Sequence, residues 1–237
     1  MGARLYCGTS GFAYPTWKPG FYPEKVSAKK FLTHYASRLN AVEINYTFRT
    51  LPSQKTLENW MAETPASFRF ATKGHQRISH FERLAVTDFS RAFFESLAPL
   101  QAGGKLGPVL FQLPATVAVN TDRLSAFLAA APTDLRLAFE FRSPTWFTER
   151  VWDILRKHRA ALCLAESDTL ETPPVITADF VYVRLRKSQY GATELAGIAG
   201  QLTGLLKENK DVFLFFKHED EPHGPQNAEK LLKLCQA

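Results

Sequence analysis

Short apolar runs of two kinds alternate along the whole chain, and this alternation limits the fold more than any other feature. Eight runs are short and rich in β-branched or aromatic residues, as strands are. They are Arg4–Ser10, Ala41–Phe48, Phe68–Lys73, Val109–Leu113, Leu135–Arg142, Ala161–Glu166, Phe180–Arg186 and Val212–His218. Between most of them, apolar residues recur at helical spacing. Strands that alternate with helices predict a parallel sheet.

The helical patterns have recognisable starts. Ser27 and Ser53 each stand where an N-cap is expected, ahead of an apolar stripe. The predicted helices cover Ser27–Leu39, a segment that opens at Ser53, Asp88–Leu100, Thr121–Ala130, Thr148–Lys157, Ala192–Leu206 and Gln226–Leu234. After the sixth strand, Asp168–Asp179 contains Pro173 and Pro174. The helix at that place is therefore predicted to be weak or missing.

Eight strands and seven clear helical patterns predict an α/β protein, a single (β/α)8 TIM barrel over residues 1–237. The alternative is an open doubly wound sheet, which would carry a G-x-G-x-x-G fingerprint after the first strand. Gly8–Gly11 reads GTSG and lacks that spacing. Because no repeat, low-complexity stretch or linker interrupts the alternation, one domain is expected.

The composition and the cysteine pattern limit the class of protein and its expected location in the cell. With 45% hydrophobic and 22% charged residues, the chain has a globular composition. No apolar run approaches the roughly 18 residues of a membrane-spanning helix, and the first residues lack the pattern of a signal peptide. The three cysteines form no CxxC pair, and Cys7 and Cys163 lie in apolar runs, which favours buried, inert thiols. We therefore expect a cytoplasmic protein without a membrane partner.

The net charge of +6 favours anionic partners. A small anionic molecule fits this charge, and a nucleic acid is a second possibility. The basic residues are dispersed, however, and no block of Lys or Arg resembles a nucleic-acid tail. Nothing in the sequence indicates an oligomeric state.

Polar and charged residues take up the inward-facing positions of several predicted strands. Since side chains alternate along a strand, the apolar residues face the helices and their neighbours face the barrel. The inward set is Glu43, Asn45, Lys73, Gln112, Glu140, Arg142, Arg184 and Arg186. A barrel interior is normally apolar, and buried ions must pair or meet a ligand. In the eighth strand, the alternation leaves open whether Lys217 or His218 points inward.

These residues indicate a site at the C-terminal mouth, where barrel enzymes place their chemistry. Glu43 and Glu140 are candidates for acid and base, and Lys73 is a third catalytic candidate, either as a desolvated Schiff-base lysine or as an ion-pair partner. The candidate substrate-binding residues are Ser10, Tyr14, Trp17, Asn45, His80, Gln112, Arg142, Trp146, Arg184, Arg186 and Lys217. The long aromatic loop Gly11–Pro23 is expected either to cover the mouth or to form a packed cluster of its own.

Several chemistries remain open. An excess of Arg and Lys suits phosphate or carboxylate groups, so the leading hypothesis is an acid/base hydrolase or lyase acting on a small anion. The alternatives are a nucleic-acid-binding protein and a carbohydrate-active hydrolase that uses the two glutamates. A purely structural ion-pair network is a further possibility. No cofactor is predicted; a divalent metal is a minor alternative, since no ligand motif such as HExxH occurs.

Six blocks of residues carry a resemblance to a known family. They are Gly8–Gly11 with Tyr14, Trp17 and Phe21–Pro23; Val42–Asn45 with Thr47, Phe48 and Leu51–Ser53; Phe68–Phe70 with Lys73 and His80; Leu110–Pro114; Glu140–Arg142 with Trp146 and Phe147; and Tyr182–Leu185. In these blocks the chain resembles, nearly from end to end, the YecE-like family, catalogued as domain of unknown function 72. The resemblance implies a TIM barrel and no assigned reaction. The chain departs from the commoner family pattern at two places. Arg186–Lys187 replaces a His-Gly pair, and Lys217–Asp220 stands where many members carry an Asn pair. Both changes add charge at the mouth.

Overall fold

Eight parallel strands form one sheet that curls into an almost closed barrel. The computed structural model describes residues 2–167, 171–217 and 220–236. The strands are β1 (Leu5–Thr9), β2 (Ala41–Ile44), β3 (Arg69–Lys73), β4 (Leu106–Leu113), β5 (Leu137–Phe141), β6 (Ala161–Glu166), β7 (Phe180–Leu185) and β8 (Asp211–Phe216). Their order is β1-β8-β7-β6-β5-β4-β3-β2, and neighbouring strands run parallel. The predicted TIM-barrel architecture is confirmed.

Helices follow most strands and cover the outside of the barrel. They are α1 (Phe31–Arg38), α2 (Gln54–Ala62), α3 (Asp88–Ser96), α4 (Ala98–Ala102), α5 (Thr121–Ala130), α6 (Glu149–Lys157), α7 (Ala192–Lys207) and α8 (His223–Gln236). Ser53 caps α2 as predicted, because its hydroxyl accepts a hydrogen bond from the Thr56 N–H. Ser27 makes no such bond, and a 3-10 turn over Ala28–Lys30 precedes α1. The helix predicted over Asp88–Leu100 is divided at Leu97, with Pro99 near the start of the second part.

Between β6 and β7, the described residues 171–179 contain no helix, as the two prolines predicted. Hydrogen bonds to β6 hold this extended segment instead. Thr177 Oγ1 donates to the Ala160 carbonyl (2.7 Å) and accepts from the Leu162 N–H (2.8 Å). A groove of about 280 Å³ remains outside β6 and β7, with Leu164 and Val183 among its lining residues.

The barrel has an apolar layer on each side of its wall. Outward-facing residues such as Phe139 and Phe141 of β5 pack against the helices. The lower interior holds smaller clusters, in which Tyr6 stacks on Phe213 with ring centres 4.6 Å apart. The alternation inferred from the sequence is therefore confirmed in β5, where Ala138 faces the interior.

The aromatic loop after β1 forms its own packed cluster. Trp17, Phe21 and Tyr22 are buried, and Tyr22 stacks on Phe31 of α1 with ring centres 4.2 Å apart. Tyr35 of α1 packs against Phe21 on the same outer side of β1. These three rings of the loop consequently belong to the outer core and do not cover the mouth.

Between β1 and β2 the barrel is joined mainly by side chains. The Tyr35 hydroxyl accepts a hydrogen bond from the Thr9 N–H (2.8 Å) and donates one to the Ala41 carbonyl (3.0 Å). It thus replaces a direct backbone bond between the two strands. Gly8 allows this close approach, because a Cβ at that position would lie 1.8 Å from the Ala41 carbonyl oxygen.

Asn40 closes the lower part of the same seam. Its side-chain amide accepts from the Cys7 N–H and donates to the Leu5 carbonyl, both at 2.8 Å. A direct backbone bond occurs at the top, where the Gly11 N–H donates to the Glu43 carbonyl (2.8 Å). The C-terminal ends of β1 and β2 are thereby held side by side.

Removal of the Tyr35 hydroxyl tests this seam. Tyr35→Phe leaves the buried Thr9 N–H and the Ala41 carbonyl without this partner, so we expect a loss of about 1–3 kcal/mol in the free energy of unfolding. Urea unfolding measures it. Tyr46→Phe is the matched control, because the Tyr46 side chain lies on the surface. Equal effects of the two substitutions would contradict the role of the hydroxyl.

Candidate functional site

A polar layer lies across the C-terminal end of the barrel. The strand register brings its members together: Gln112 of β4 pairs with Glu140 of β5, and Ser10 bridges to Glu43 of β2. The residues of the layer are Ser10, Glu43, Lys73, Gln112, Glu140 and Arg184. Apart from Lys73, which is half-buried, all of them are buried. Most of the inward positions predicted from the alternation of side chains therefore converge at one end of the barrel, whereas Asn45 does not join this layer.

Arg184 of β7 bridges the two glutamates. Its Nη2 lies 2.6 Å from Glu43 Oε1, and its Nη1 donates to Glu140 Oε2. All three side chains are at most 2% exposed. Each ion in such a place would cost several kcal/mol on its own, so the pairing is what allows the charges to be buried.

Hydroxyl groups and two further arginines also contact the two carboxylates. Glu43 also accepts hydrogen bonds from the Ser10 hydroxyl and from the Tyr182 hydroxyl, the latter at 2.7 Å. Burial and the charge of Glu43 raise the pKa of Tyr182, which keeps that phenol a donor. Glu140 is 3.1 Å from Arg142 Nε and 3.4 Å from Arg186 Nη2. Both carboxylates are thus occupied as acceptors.

Three further cations surround the bridged glutamates. Arg142 keeps 38% of its side chain exposed, and Arg186 keeps 14%. The Arg186 Nε is buried, and within the described part of the chain no group accepts a hydrogen bond from it. Lys73 Nζ lies 4.2 Å from the centre of the Phe48 ring. Burial, followed by the charge of Arg184, lowers the pKa of Lys73 to about 8.

His80 lies against the same aromatic ring. The centres of the His80 and Phe48 rings are 5.1 Å apart, and His80 Nδ1 is 2.9 Å from the Ser79 hydroxyl oxygen. Burial, together with the charges of Lys73 and Arg142, lowers the pKa of His80. The His80 imidazole is therefore neutral at pH 7. It shares the Phe48 ring with the Lys73 amine.

Asn45 and Tyr14 line a neighbouring groove rather than the charged layer itself. The groove has a volume of about 300 Å³ and also includes Tyr46 and Trp60. Tyr14 donates a hydrogen bond to the Ser10 carbonyl at 3.1 Å. Because Ser10 also contacts Arg184, the groove adjoins the polar layer.

The structure places two predicted binding residues away from the mouth. Trp17 is fully buried in the aromatic loop cluster. Trp146 is 1% exposed, stacks on the outward-facing Phe141 with ring centres 4.4 Å apart, and donates its indole N–H to the Val117 carbonyl. The expectation that they cover a ligand is wrong, because their large apolar rings are used in the outer core.

The end of β8 is partly described. Phe213 and Phe215 face the interior, so Lys217 has the inward parity, yet its side chain is exposed beyond the strand. His218 lies outside the described residues. Two residues that the sequence did not assign to the site are Phe48, beneath Lys73, and Tyr182, on Glu43. The alternation of side chains did place Tyr182 inside the barrel.

The described residues contain neither a cluster of metal ligands nor a membrane-spanning helix. Over the described ranges, no three His, Cys, Asp or Glu residues come close enough to form a metal site. Within the same residues, no helix has the length and apolar character to cross a bilayer. The buried thiols of Cys7 and Cys163 are unbonded to other cysteines, and burial raises their pKa values.

Comparison with known proteins decides the family. The sequence profile described as "Protein of unknown function DUF72" matches residues 6–237. This chain belongs to the DUF72 family. The UPF0759 protein YunF of Bacillus subtilis is 28% identical over 151 residues, which are 61% of this DUF72 chain and 52% of YunF. The chain thus matches about half the length of that curated relative.

Two solved structures show the same fold. A DUF72 family protein of Thermotoga maritima is 24% identical and superimposes with a TM-score of 0.88 over 99% of this chain and 100% of the other. A DUF72 family protein of Enterococcus faecalis is 20% identical, with a TM-score of 0.76 over 99% and 98% of the two chains. The family description names no reaction.

The bridge in this DUF72 protein predicts a large loss of stability when it is removed. Arg184→Met leaves two buried carboxylates without their main partner, so we expect the free energy of unfolding to fall by about 3–5 kcal/mol. Arg156→Met is the matched control, because Arg156 also pairs with two carboxylates, Glu149 and Asp153, but at the surface. We expect it to change the free energy of unfolding far less in the same urea titration, because solvent screens an exposed ion pair. Similar losses for both variants would contradict the buried bridge.

The lowered pKa of Lys73 predicts that a variant without this amine differs in stability from the natural protein by an amount that depends on pH. Its pKa of about 8 in the folded protein lies below the usual 10.5, so the folded state carries a cost while the amine is charged. That cost is complete below pH 8 and disappears as the pH rises towards 10.5, since the folded protein loses the proton first.

Lys73→Met should therefore be more stable than the natural protein at pH 7, by about 1–3 kcal/mol, and the gap should narrow above pH 8. Urea unfolding at several pH values measures the gap. Lys55→Met, at an exposed position of α2, controls for the general effect of a methionine. A gap that stays constant up to pH 10 would contradict the desolvation of Lys73.

Proposed function

We propose that this DUF72 protein is an enzyme whose barrel mouth binds a small substrate carrying a phosphate or carboxylate group. The excess of positive charge in the mouth carries the proposal. Four cations, Lys73, Arg142, Arg184 and Arg186, surround two carboxylates, and Arg184 already bridges both carboxylates. An anion would balance this excess.

Spare hydrogen-bond donors support the same conclusion. Arg142 uses only its Nε on Glu140, and none of the described residues accepts a bond from its terminal nitrogens. The Arg186 Nε is buried and has no acceptor among the described residues. A guanidinium group offers several N–H donors in a planar arrangement that matches a phosphate or carboxylate. These two arginines are thus suited to hold the anion.

Within this proposal the two glutamates have a positioning role. Glu43 and Glu140 were expected from the sequence as acid and base, but both accept hydrogen bonds from guanidinium N–H groups. They fix Arg184, and Glu140 also orients Arg142. The unpaired amine of Lys73 and the neutral His80 are then the groups suited to proton transfer or nucleophilic attack.

The pairing argues against glycoside hydrolysis. A glycosidase needs one protonated carboxyl group and a second that is free to act as nucleophile or base. In this site Arg184 binds both carboxylates. The carbohydrate-active alternative therefore finds little support.

Nucleic-acid binding is the second candidate, and one observation favours it. The groove beside the polar layer carries Tyr46, whose side chain is 49% exposed, next to Trp60. Exposed aromatic rings beside cations are the elements with which single-strand-binding proteins stack bases.

Inorganic phosphate tests the proposed anion site. We expect phosphate to raise the melting temperature, and a concentration of 100 times Kd would add about 2.7 kcal/mol of stability. Arg142→Ala should weaken phosphate binding by about tenfold, because it removes a charge-assisted hydrogen-bond donor. Arg91→Ala is the matched control, since Arg91 pairs with Asp88 on the exposed face of α3.

Equal phosphate binding by the two variants would contradict the site. Binding of a short single-stranded oligonucleotide that falls steeply with salt and is lost in Tyr46→Ala, without a response to phosphate, would favour the second candidate.

A further inference from the structure

Lys73 differs from the other cations of the mouth because, among the described residues, its amine has no polar partner. It ends β3, and its Nζ lies 4.2 Å from the centre of the Phe48 ring. Arg142, Arg184 and Arg186 each contact Glu140, whereas no described residue forms an ion pair or hydrogen bond with Lys73 Nζ. An amine in contact with an aromatic face, at the edge of an anion site, is open to a ligand.

The charges around Lys73 come from three other strands of the mouth or from residues that follow them. Arg184 of β7 and Arg142 after β5 repel its positive charge, while Glu43 of β2 and Glu140 of β5 attract it. Because Arg184 bridges both glutamates, their attraction is largely offset, and burial adds to the cost of the charged form. With a pKa of about 8, roughly a tenth of the amine is uncharged at pH 7.

We propose that Lys73 forms an imine with the carbonyl carbon of an anionic carbonyl compound, a 2-oxo carboxylate or an aldehyde phosphate. This inference rests on the proposed function, since Arg142 and Arg186 would hold the anionic group beside the amine. It names the substrate class of the same site. Uncharged lysines in desolvated pockets are the residues that form such adducts.

The step balances without an outside oxidant or reductant. The lone pair of Lys73 Nζ adds to the carbonyl carbon, and the π electrons of the C=O bond move to oxygen. One amine proton passes to that oxygen and gives a carbinolamine. A second proton, the one that the charged amine gives to His80 before it attacks, converts the hydroxyl group into water. The water leaves as the nitrogen lone pair forms the C=N bond. The product is a protonated imine, which accepts electrons when a bond to the adjacent carbon breaks.

His80 is placed to carry these protons. It packs on the same Phe48 ring as Lys73, and its Nδ1 contacts the Ser79 hydroxyl. The neutral imidazole can accept a proton from the amine and return it to the departing oxygen. The Tyr182 hydroxyl does not compete for this role, because it donates to Glu43.

Reductive trapping tests the inference on the full chain. The protein is incubated with pyruvate or with glyceraldehyde 3-phosphate in the presence of cyanoborohydride, and the product is analysed by intact mass and peptide mapping. With pyruvate, we expect a single adduct at Lys73 whose mass equals pyruvate less one oxygen atom. Labelling at Lys73 should be about tenfold or more faster than at surface lysines at pH 7, because more of the amine is uncharged.

Two variants and a neutral probe separate the possible causes. Lys73→Arg keeps the positive charge and removes the nucleophile, so the adduct should be lost while inorganic phosphate still binds. Lys105→Arg is the matched control, since the Lys105 amine is also buried but donates to the Met61 and Thr64 carbonyls. Acetone, which lacks an anionic group, should label Lys73 about tenfold more slowly than pyruvate does.

Peptide mapping of the natural protein gives a result even if a variant fails to fold. Labels spread over the exposed lysines, or no label at Lys73 with either probe while phosphate still binds, would overturn the imine and leave the anion site intact. Absence of both labelling and phosphate binding would overturn the proposed function as well.

Discussion

The structure depends on one buried ionic bridge, in which Arg184 joins Glu43 and Glu140 across the C-terminal end of the barrel. The three side chains come from β7, β2 and β5, so the bridge connects strands that are not neighbours in the sheet. Burying three ions is unfavourable unless each meets an opposite charge and its remaining hydrogen-bonding groups are satisfied. Ser10, Tyr182, Gln112 and Arg142 supply such contacts, whereas Arg184 Nε has no hydrogen-bond partner among the described residues. Much of the polar layer is therefore required by the charge of a single guanidinium group.

That arrangement determines which groups remain available for a ligand. The glutamates are used in holding Arg184, whereas Arg142 and Arg186 each contact Glu140 through a single nitrogen atom. Lys73 is left with an aromatic ring as its neighbour, and its charge is opposed by Arg184. The same ion that stabilises the carboxylates thus makes the nearby amine easier to deprotonate. Structural and chemical roles are divided between neighbouring side chains of one layer.

Much of this was predictable from the period of the strands. The alternation of side chains placed Glu43, Gln112, Glu140 and Arg184 inside the barrel, and the prolines after β6 predicted the missing helix. Aromatic residues were harder to place, because Trp17 and Trp146 can cover a ligand or fill a core equally well by composition. The pairing pattern was also beyond the sequence, since parity gives the side of the strand but not the distances between side chains. Only the structure shows that both glutamates bind the same arginine. It also shows that Lys73 forms no ion pair with either glutamate.

The seam between β1 and β2 affects the polar layer above it. Elsewhere the sheet is held by ladders of backbone bonds, but at this seam the side chains of Tyr35 and Asn40 take their place. Apart from the backbone bond between Gly11 and Glu43, the link between β1 and β2 therefore depends on the positions of these two side chains. Ser10 and Glu43 lie at the top of the two strands and both contact Arg184. Separation of β1 and β2 at this seam would therefore pull apart Ser10 and Glu43, two of the groups that bind the guanidinium group. It would also change the electric field at a bound anion.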